Sequence, residues 1–515
     1  MEGGPTYNAA ADLIERNLAA GRGAKTAFID DRGSCSYAEL AERVGRFANL
    51  LRRLGVLPEQ RILLCLYDTI DFPTAFLGAI KAGVVPVAVN TQLSPAELAF
   101  MLADSRARAV VVSAPLLPAI EAALAQLAEP RPLAIVSGEA VQVGSLAALL
   151  AEAPATFETA PTHPDEPCFW LYSSGSTGRP KGTVHIHTSL VQTAELYALP
   201  VIGIAESDVT FSAAKLFFAY GLGNGLTFPL AVGATSVLMA ERPTPAAVSR
   251  VLRLHRPTIF YGVPTLYNTM LVSNDLPRRD ELALRRCVSA GEPLPQEIGR
   301  RWSARLGVDI LDGIGSTEML HIFLSNRPEE VRYGTTGKPL AGYPLKIVDE
   351  EGRAVRRGEV GDLVVSGPTS AALYWNNRER SRSTFNGTWT RTGDKYFEDE
   401  EGYYVYCGRS DDMLKVSGMY VSPAEVEAAL IAHQDVLEAA VVGAPDADGL
   451  IKPKAFVVVK PGIRADGDLA LALEDHAKSM LAPFKCPRWI AFLDELPKTA
   501  TGKIQRFKLR EQVPG

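Results

Sequence analysis

The hydrophobic pattern in the first part of the chain alternates between two periods. Short apolar runs of strand length are separated by segments whose apolar residues recur at the spacing of an amphipathic helix. Strands and helices that alternate in this way predict parallel sheets joined by right-handed crossovers. The runs predicted as strands are 61–66, 84–89, 109–113 and 133–137, and the predicted helices are 38–54, 72–82 and one that opens at Ser94, Pro95 and Glu97.

The same pattern continues to about Gly337 and then changes. Beyond that glycine, strand-like runs separated by Gly-containing turns indicate a β-rich subdomain, and a compact α+β segment follows Ser410. We therefore expect an α/β fold with a large N-terminal domain, 1–409, and a small C-terminal domain, 410–515, on a hinge. The elements predicted in these parts are strands at 234–239, 258–261, 345–348, 362–365, 403–406, 439–442 and 455–459, and helices at 245–255, 423–431 and 469–481.

Composition narrows the class of protein. The chain has 515 residues, more than one hydrophobic core usually holds, so we expect two or more domains. Its net charge of −6 offers no basic surface for nucleic acid. The six cysteines and seven histidines are scattered without metal-ligand spacing, which favours reduced thiols and no structural metal. No signal peptide or membrane-spanning run is predicted, and we expect a soluble cytoplasmic protein without a membrane partner.

One segment, 173–182, has almost no apolar surface and combines glycines and hydroxyl residues with a single lysine. Backbone N–H groups and hydroxyls of such a loop can bind an anion, and the ammonium supplies the countercharge. The alternative is a flexible Gly/Ser linker. The segment is not a Walker A loop, because its lysine lies between Pro180 and Gly182. The predicted phosphate-binding residues are Ser173, Ser174, Gly175, Ser176, Thr177, Gly178 and Lys181.

Further motifs follow this loop. They are Asp-Gly-Ile-Gly-Ser-Thr-Glu at 312–318, Trp-Thr-Arg-Thr-Gly-Asp at 389–394, the segment 408–427, and Pro-Lys-Thr-Ala-Thr-Gly-Lys-Ile at 497–504. In order and separation, the motifs resemble those of the adenylate-forming superfamily: acyl-CoA synthetases, luciferases and peptide-synthetase adenylation domains. The resemblance covers nearly the whole chain and implies an acyl-CoA synthetase-like fold.

The resemblance also implies that the chain activates a carboxylic acid with ATP and Mg²⁺. Attack of the carboxylate on the α-phosphate gives an acyl-adenylate and pyrophosphate, and the developing charge calls for cations and N–H donors. Thr317 would hold the α-phosphate, and Glu318 with Thr177 would hold the Mg²⁺ ion. Lys503 would bridge the carboxylate and the α-phosphate during adenylation.

The nucleoside contacts are implied in the same way. Asp394 would accept both ribose hydroxyls, and Arg409 would reach the same sugar. Structural alternatives exist: Asp394 as a turn residue, Glu318 as a helix-start carboxylate and Lys503 as a solvated surface lysine. Ile314 departs from the aromatic residue that many relatives stack on adenine. The other residues assigned to the nucleotide are Gly291, Glu292, Asp312 and Gly313.

The acid substrate is indicated by the segments 215–224 and 319–326, which are similar to those of benzoate–CoA ligases and their hydroxybenzoate relatives. No acidic residue neighbours Lys215 in the sequence, which disfavours an amino-acid substrate. Small and aromatic residues suit a flat ring better than a long acyl chain. His321 is either a donor to the acid or a core histidine bonded to the backbone. The predicted acid pocket consists of Lys215, Phe218, Ala219, Tyr220, Ala290, Gly291, Gly315, Leu320 and His321, with Phe217 as the alternative to Phe218 for a gate.

A second half-reaction with CoA is implied, after the C-terminal domain rotates about a hinge at Asp411. Rotation would bring Lys415, Ser417 and Gly418 to the pantetheine and carry Lys503 away. Our first hypothesis is an aryl-CoA ligase for benzoate or a small hydroxy- or aminobenzoate. The alternatives are transfer to a carrier protein's phosphopantetheine, a luciferase-like oxygenase, and a non-catalytic binding module. A homodimer is among the assemblies left open.

Overall fold

The computed structural model of this chain describes residues 5–138, 144–173, 180–410, 412–416, 419–446, 450–498 and 504–512. The strands are β1 (Thr26–Asp30), β2 (Gly33–Ser36), β3 (Arg61–Cys65), β4 (Val85–Ala88), β5 (Ala109–Ser113), β6 (Leu133–Ser137), β7 (Pro167–Ser173), β8 (Lys181–Ile186), β9 (Val209–Ser212), β10 (Thr235–Val237), β11 (Ile259–Gly262), β12 (Arg286–Ser289), β13 (Ile310–Gly315), β14 (Ile322–Ser325), β15 (Lys338–Pro339), β16 (Leu345–Val348), β17 (Gly361–Ser366), β18 (Leu373–Tyr374), β19 (Phe385–Asn386), β20 (Trp389–Glu398), β21 (Tyr404–Arg409), β22 (Leu414–Val416), β23 (Met419–Val421), β24 (Val436–Pro445), β25 (Ile451–Val459) and β26 (Trp489–Phe492).

The α-helices match the amphipathic segments. The helices predicted at 245–255 and 423–431 have the predicted bounds, and the structure shows that Thr244 and Ser422 cap them by accepting a hydrogen bond from a backbone N–H of the first turn. The helix predicted to open at Ser94 is likewise capped by that serine. The helices are α1 (Ala9–Ala19), α2 (Tyr37–Arg53), α3 (Asp71–Lys81), α4 (Pro95–Ser105), α5 (Leu117–Leu124), α6 (Leu146–Ala151), α7 (His187–Thr193), α8 (Ala219–Leu222), α9 (Phe228–Val232), α10 (Pro245–His255), α11 (Pro264–Val272), α12 (Gln296–Leu306), α13 (Arg378–Thr384), α14 (Pro423–Ile431), α15 (Gly467–Met480) and α16 (Arg506–Arg510).

Two large sheets form the α/β part of the molecule. One has the order β18-β8-β7-β4-β3-β5-β6, and the other has the order β15-β14-β13-β12-β11-β9-β10-β1-β2. Neighbours from β7 to β6 in the first, and from β13 to β1 in the second, are parallel, as the alternating pattern predicts. Antiparallel strands extend both sheets where the predicted nucleotide motifs lie, as the hairpins β7–β8 and β13–β14.

The β-rich subdomain is an antiparallel sheet of order β16-β17-β20-β19, with β21 also paired to β20. The α+β segment after it contains the sheet β24-β25-β26, whose inner face packs on α14 and α15. The predicted fold class is therefore confirmed, while the division at 409/410 stays a prediction. Within the described ranges, no helix is long and apolar enough to cross a membrane.

Candidate functional site

The two ends of the predicted phosphate loop are fixed by a hairpin. Ser173, the last residue of β7, pairs across the antiparallel register with Lys181, the first residue of β8. The hairpin therefore holds the hydroxyl and the ammonium at the base of one loop. The other predicted phosphate contacts, Ser174, Gly175, Ser176, Thr177 and Gly178, lie outside the described residues and stay predictions.

Two residues from distant parts of the chain, Glu318 and Tyr374, meet at this hairpin. Oε1 of Glu318 accepts a hydrogen bond from the hydroxyl of Tyr374 across 2.6 Å and another from Oγ of Ser173 across 3.3 Å. The ammonium of Lys181 lies 4.4 Å from the centroid of the Tyr374 ring. Burial lowers the pKa of Lys181, and the carboxylate of Glu318 opposes that shift. The structure therefore places the predicted Mg²⁺ carboxylate beside the predicted phosphate lysine.

The turn after β13 is held by a hydrogen bond from His185, a residue that no sequence motif indicates. Nε2 of His185 lies 2.8 Å from the carbonyl oxygen of Thr317, so this nitrogen carries the proton and donates it. The imidazole is fully buried and stacks on Phe169 with a centroid separation of 5.2 Å. Burial lowers its pKa to about 4, and it is therefore neutral at physiological pH.

The same turn has a strained backbone. It is also held by hydrogen bonds from the segment just before β18. Leu320 has a φ of 65°, an unusual conformation for a bulky residue, although its side chain is buried. The N–H of Ala371 donates to the carbonyl of Glu318 across 2.7 Å, and the hydroxyl of Thr369 donates to the carbonyl of Met319 across 2.8 Å. Strain of this kind persists only where the surroundings fix the backbone, as they do here.

The strand that leads into this turn contains Asp312, Gly313 and Ile314, which are assigned to the nucleotide, and Gly315, which is assigned to the acid pocket. Asp312 is buried, and burial raises the pKa of its carboxyl well above the usual range. Ile314 packs on the neighbouring apolar cluster. Gly315 is required sterically, since a Cβ there would lie 2.5 Å from the carbonyl oxygen of His321, and Gly313 is also tight, with a Cβ lying 3.0 Å from Ile322.

The predicted ribose contacts lie side by side. Asp394 on β20 and Arg409 on β21 are directly opposite in the antiparallel register, and Nη1 of the arginine lies 3.2 Å from Oδ1 of the aspartate. Gly393 has a φ of 76°, and a Cβ at that position would lie 2.8 Å from the guanidinium. Gly393 thus supplies a left-handed residue inside β20 and the space that this pair needs.

The remaining predicted nucleotide contacts, Gly291 and Glu292, follow the end of β12, next to Ala290 of the predicted acid pocket. Ala290 is buried, and Gly291 has a φ of 94°, which favours glycine. Oε2 of Glu292 accepts from Oγ1 of Thr265 across 2.8 Å, which fixes this carboxylate against α11. These residues lie on the loop that follows one of the parallel strands, at its carboxyl end, where ligands of open α/β sheets usually bind.

Aromatic rings dominate the predicted acid pocket. The hydroxyl of Tyr220 donates to the carbonyl of Val288 at 3.1 Å, which anchors the ring against the end of β12. Phe218 is partly buried, and its ring meets that of Phe217 edge-on at 4.4 Å. Ala219, the first residue of α8, is also partly buried. The structure therefore brings Phe218, Ala219 and Tyr220 together on one short segment.

His321 lies inside an aromatic cage. Its ring centroid is 5.6 Å from Tyr197, 5.6 Å from Tyr220 and 4.5 Å from Phe228. Nε2 lies 3.3 Å from the carbonyl of Tyr220 and 3.2 Å from Oδ1 of Asn224, so it donates, and Nδ1 is a buried acceptor without a partner among the described residues. Burial lowers its pKa to about 3. The backbone contact is the one that the core-histidine alternative predicts; a role toward the acid stays a prediction.

The prediction that Lys215 lines the acid pocket is corrected by its contacts. Its ammonium donates to the carbonyls of Met239 and, across 2.7 Å, Glu241, so it fixes this segment rather than pointing free into the acid pocket. Asp68 lies beside this segment in the folded chain and accepts from the N–H of Leu216 at 3.2 Å, so the prediction that no acid is near Lys215 is wrong. Burial raises the pKa of Asp68 to about 6, and Lys215 opposes the shift. No local sequence pattern pointed to Asp68, since it comes from the first sheet.

The predicted hinge and CoA residues are only partly described. Asp411, Ser417, Gly418 and Lys503 lie outside the described residues, and Lys415 belongs to β22. The next residue after the hinge, Asp412, accepts a hydrogen bond from the guanidinium of Arg510 on α16. The large N-terminal part contacts the C-terminal α+β segment at Asn268 of α11, whose Nδ2 donates to the carbonyl of Leu437 across 2.5 Å.

Two family models match this sequence. One, described as AMP-binding enzyme, matches residues 15–375, and the other, described as AMP-binding enzyme C-terminal domain, matches residues 425–503. Together they span most of the chain and leave a gap of sequence that includes the predicted hinge.

Individual relatives match over almost their full length. A benzoate–CoA ligase of Thauera aromatica is 64% identical over 506 residues, covering 98% of this chain and 96% of the relative. A 4-hydroxybenzoate–CoA/benzoate–CoA ligase of Rhodopseudomonas palustris is 52% identical over 515 residues, covering 99% and 95%. The crystal structure of a benzoate CoA ligase from Burkholderia xenovorans LB400 superposes with a TM-score of 0.93 at 57% identity, covering 98% of this chain and 100% of that one.

Proposed function

The chain belongs to the AMP-binding enzyme family, and from that membership we propose that it is an ATP-dependent aryl-CoA ligase acting on benzoate or a small hydroxy- or aminobenzoate. The observation that supports this most strongly is 64% identity, over 98% of the chain, to a benzoate–CoA ligase. The products are an aryl-CoA, AMP and pyrophosphate.

The nucleotide side of the site fits this chemistry. Lys181 supplies a cation at the base of the phosphate loop, while Asp394 and Arg409 form a polar pair suited to a ribose. Among the described residues, hydrogen bonds reach only Oε1 of Glu318, which leaves Oε2 for a metal ion. Mg²⁺ suits this position because it takes few protein ligands. Mg²⁺ bound there would neutralise phosphate charge when the carboxylate attacks.

The acid side of the site fits a small ring. Tyr220 and His321 supply aromatic surface, and Ala219, Gly291 and Gly315 add little side-chain volume. The buried carboxylate of Asp68 is balanced by Lys215 and bonded to a backbone N–H, so it is not an open partner for a substrate ammonium. This arrangement favours an uncharged aromatic ring over an amino acid.

An assay of CoA-dependent AMP release tests the proposal. The acids are benzoate, the three hydroxybenzoates, aminobenzoates, a long-chain fatty acid and acetate. We expect AMP with one or more benzoates. AMP only with aliphatic acids would contradict the assignment of the pocket. An adenylate that forms while no acid gives AMP on addition of CoA would point to a carrier protein as the acceptor.

We also propose a cytoplasmic location and a homodimeric assembly. Six scattered cysteines, present as free thiols, are consistent with a reducing cytoplasm. A homodimer is the assembly we propose to test, by light scattering of the purified protein at several concentrations.

A further inference from the structure

Tyr374 links the two charged residues of the nucleotide site. Its side chain is buried, with 3% of the residue exposed. Its hydroxyl donates to Oε1 of Glu318 across 2.6 Å and lies 3.5 Å from Nζ of Lys181. Its ring faces the same ammonium at 4.4 Å, within the range of a cation–π contact. One side chain therefore contacts both a cation and an anion that the reaction requires.

The separation of these charges has a chemical consequence. Lys181 and Glu318 are close enough to influence each other, yet they form no direct ion pair in the part of the chain that the structure describes. In a direct ion pair the ammonium and the carboxylate would bind each other. The reaction instead requires the ammonium to reach a phosphate and the carboxylate to reach a metal ion. Tyr374 stabilises each charge separately, through its ring on one side and its hydroxyl on the other.

The backbone fixes where Tyr374 stands. It pairs with Thr183 of β8, two residues beyond Lys181, and the N–H of Trp375 donates to the carbonyl of Gly182 at 2.8 Å. Three residues earlier, the N–H of Ala371 donates to the carbonyl of Glu318. Both motifs are thus held to one short segment, and the tyrosine has little freedom to follow either charge.

We propose that Tyr374 is a positioning residue for the metal–phosphate part of the site. By binding Oε1, it holds Glu318 with Oε2 available to Mg²⁺, and it keeps the ammonium of Lys181 apart from that carboxylate. The identity of the nucleotide and of the metal rests on the proposed function. The position of the tyrosine rests on the contacts above.

Binding of α,β-methylene-ATP, with and without Mg²⁺, separates this role from simple packing. Titration calorimetry gives the factor by which Mg²⁺ tightens binding of the analogue. In Tyr374→Phe the ring remains and the hydroxyl is lost, so the Mg²⁺ factor should fall roughly tenfold, the usual effect of losing a hydrogen bond to a charged group. Analogue binding without Mg²⁺ and the KM for benzoate should change little.

Tyr7→Phe is the matched control, because the hydroxyl of Tyr7 also donates to a carboxylate, Oδ2 of Asp12, at 2.7 Å, and neither residue is among the predicted site residues. It should keep the wild-type Mg²⁺ factor. An unchanged factor in Tyr374→Phe, or an equal loss of binding with and without Mg²⁺, would overturn the proposal. A wild-type protein that binds no analogue would instead overturn the nucleotide assignment itself.

Discussion

Nε2 of His185 donates to the carbonyl oxygen of Thr317 across 2.8 Å, and this bond joins the strand after the phosphate loop to the turn of the second nucleotide motif. The histidine is fully buried, so it makes this bond from the protein interior. A buried acceptor that loses its donor keeps its full desolvation cost. The relative position of the two motifs therefore depends on this imidazole.

His185→Phe should lower kcat/KM for ATP roughly tenfold while leaving the KM for the aromatic acid near its wild-type value. The phenyl ring can still stack on Phe169, but it has no proton to donate to Thr317. Steady-state kinetics with each substrate varied gives both constants. His187→Phe is the control, since His187 is buried nearby and its Nδ1 accepts from the N–H of Ala9. If both variants lower kcat/KM for ATP equally, His185 has only a packing role.

Asp394→Asn should reduce kcat/KM for ATP roughly 10- to 100-fold and should affect 2′,3′-dideoxy-ATP much less. An ionised carboxylate accepts both ribose hydroxyls, whereas an amide offers one acceptor atom and the dideoxy analogue offers no donor. Arg409, opposite Asp394 on β21, is not itself changed in this variant. The measurement is kcat/KM for the two nucleotides with both proteins. Equal losses with both nucleotides would mean that Asp394 acts on the loop and not on the sugar.

Local sequence signals predicted much of the fold. The helix α10 has the predicted bounds, since its cap, its proline and its apolar spacing lie within one segment. The hairpins β7–β8 and β13–β14 extend the parallel sheets at the predicted motifs, and the alternation of helices and strands alone did not predict them. The pattern identifies elements, whereas the order of strands depends on contacts between distant segments.

The predicted site was incomplete for the same reason. Tyr374 is 56 residues from Glu318 in the chain, and His185 is 132 residues from Thr317, so neither contact leaves a local pattern. Asp68 is 148 residues from Leu216, which explains why the segment around Lys215 looked free of acids. Motifs predict residues that contact a ligand, whereas only the fold shows the residues that hold them in place.

Lys503→Ala should abolish formation of the acyl-adenylate and leave thioester formation from supplied benzoyl-adenylate largely intact. The reason is the proposed alternation, in which Lys503 serves the first half-reaction and is carried away for the second. Pyrophosphate release and CoA consumption measure the two steps separately. Lys478→Ala, which removes an exposed lysine paired with Asp475 on α15, is the control for loss of a charge. Equal loss of both half-reactions would contradict the two-conformation scheme.

Asp68 should make the stability of the protein depend on pH in a direction opposite to that of most carboxylates. Burial raises its pKa from 3.8 to about 6, so the folded chain holds this proton more tightly than the unfolded chain does. The free energy of unfolding contributed by this group therefore falls as pH rises from about 4 through about 6, by at most about 3 kcal/mol. Above that range the ionised carboxylate remains, stabilised only in part by Lys215 and the N–H of Leu216.

Asp68→Asn removes this titration while keeping an oxygen that can accept from Leu216. The melting temperature of the variant minus that of the wild type should accordingly rise by about 1–2 °C between pH 5 and pH 8. Differential scanning fluorimetry across this range measures the difference directly. Asp280→Asn, in which the lost carboxylate has 71% side-chain exposure, controls for the removal of one negative charge. A difference that stays constant, or falls, as pH rises would contradict this prediction. It would show that Asp68 ionises in the folded protein at a lower cost than its burial indicates, because Lys215 compensates the charge fully.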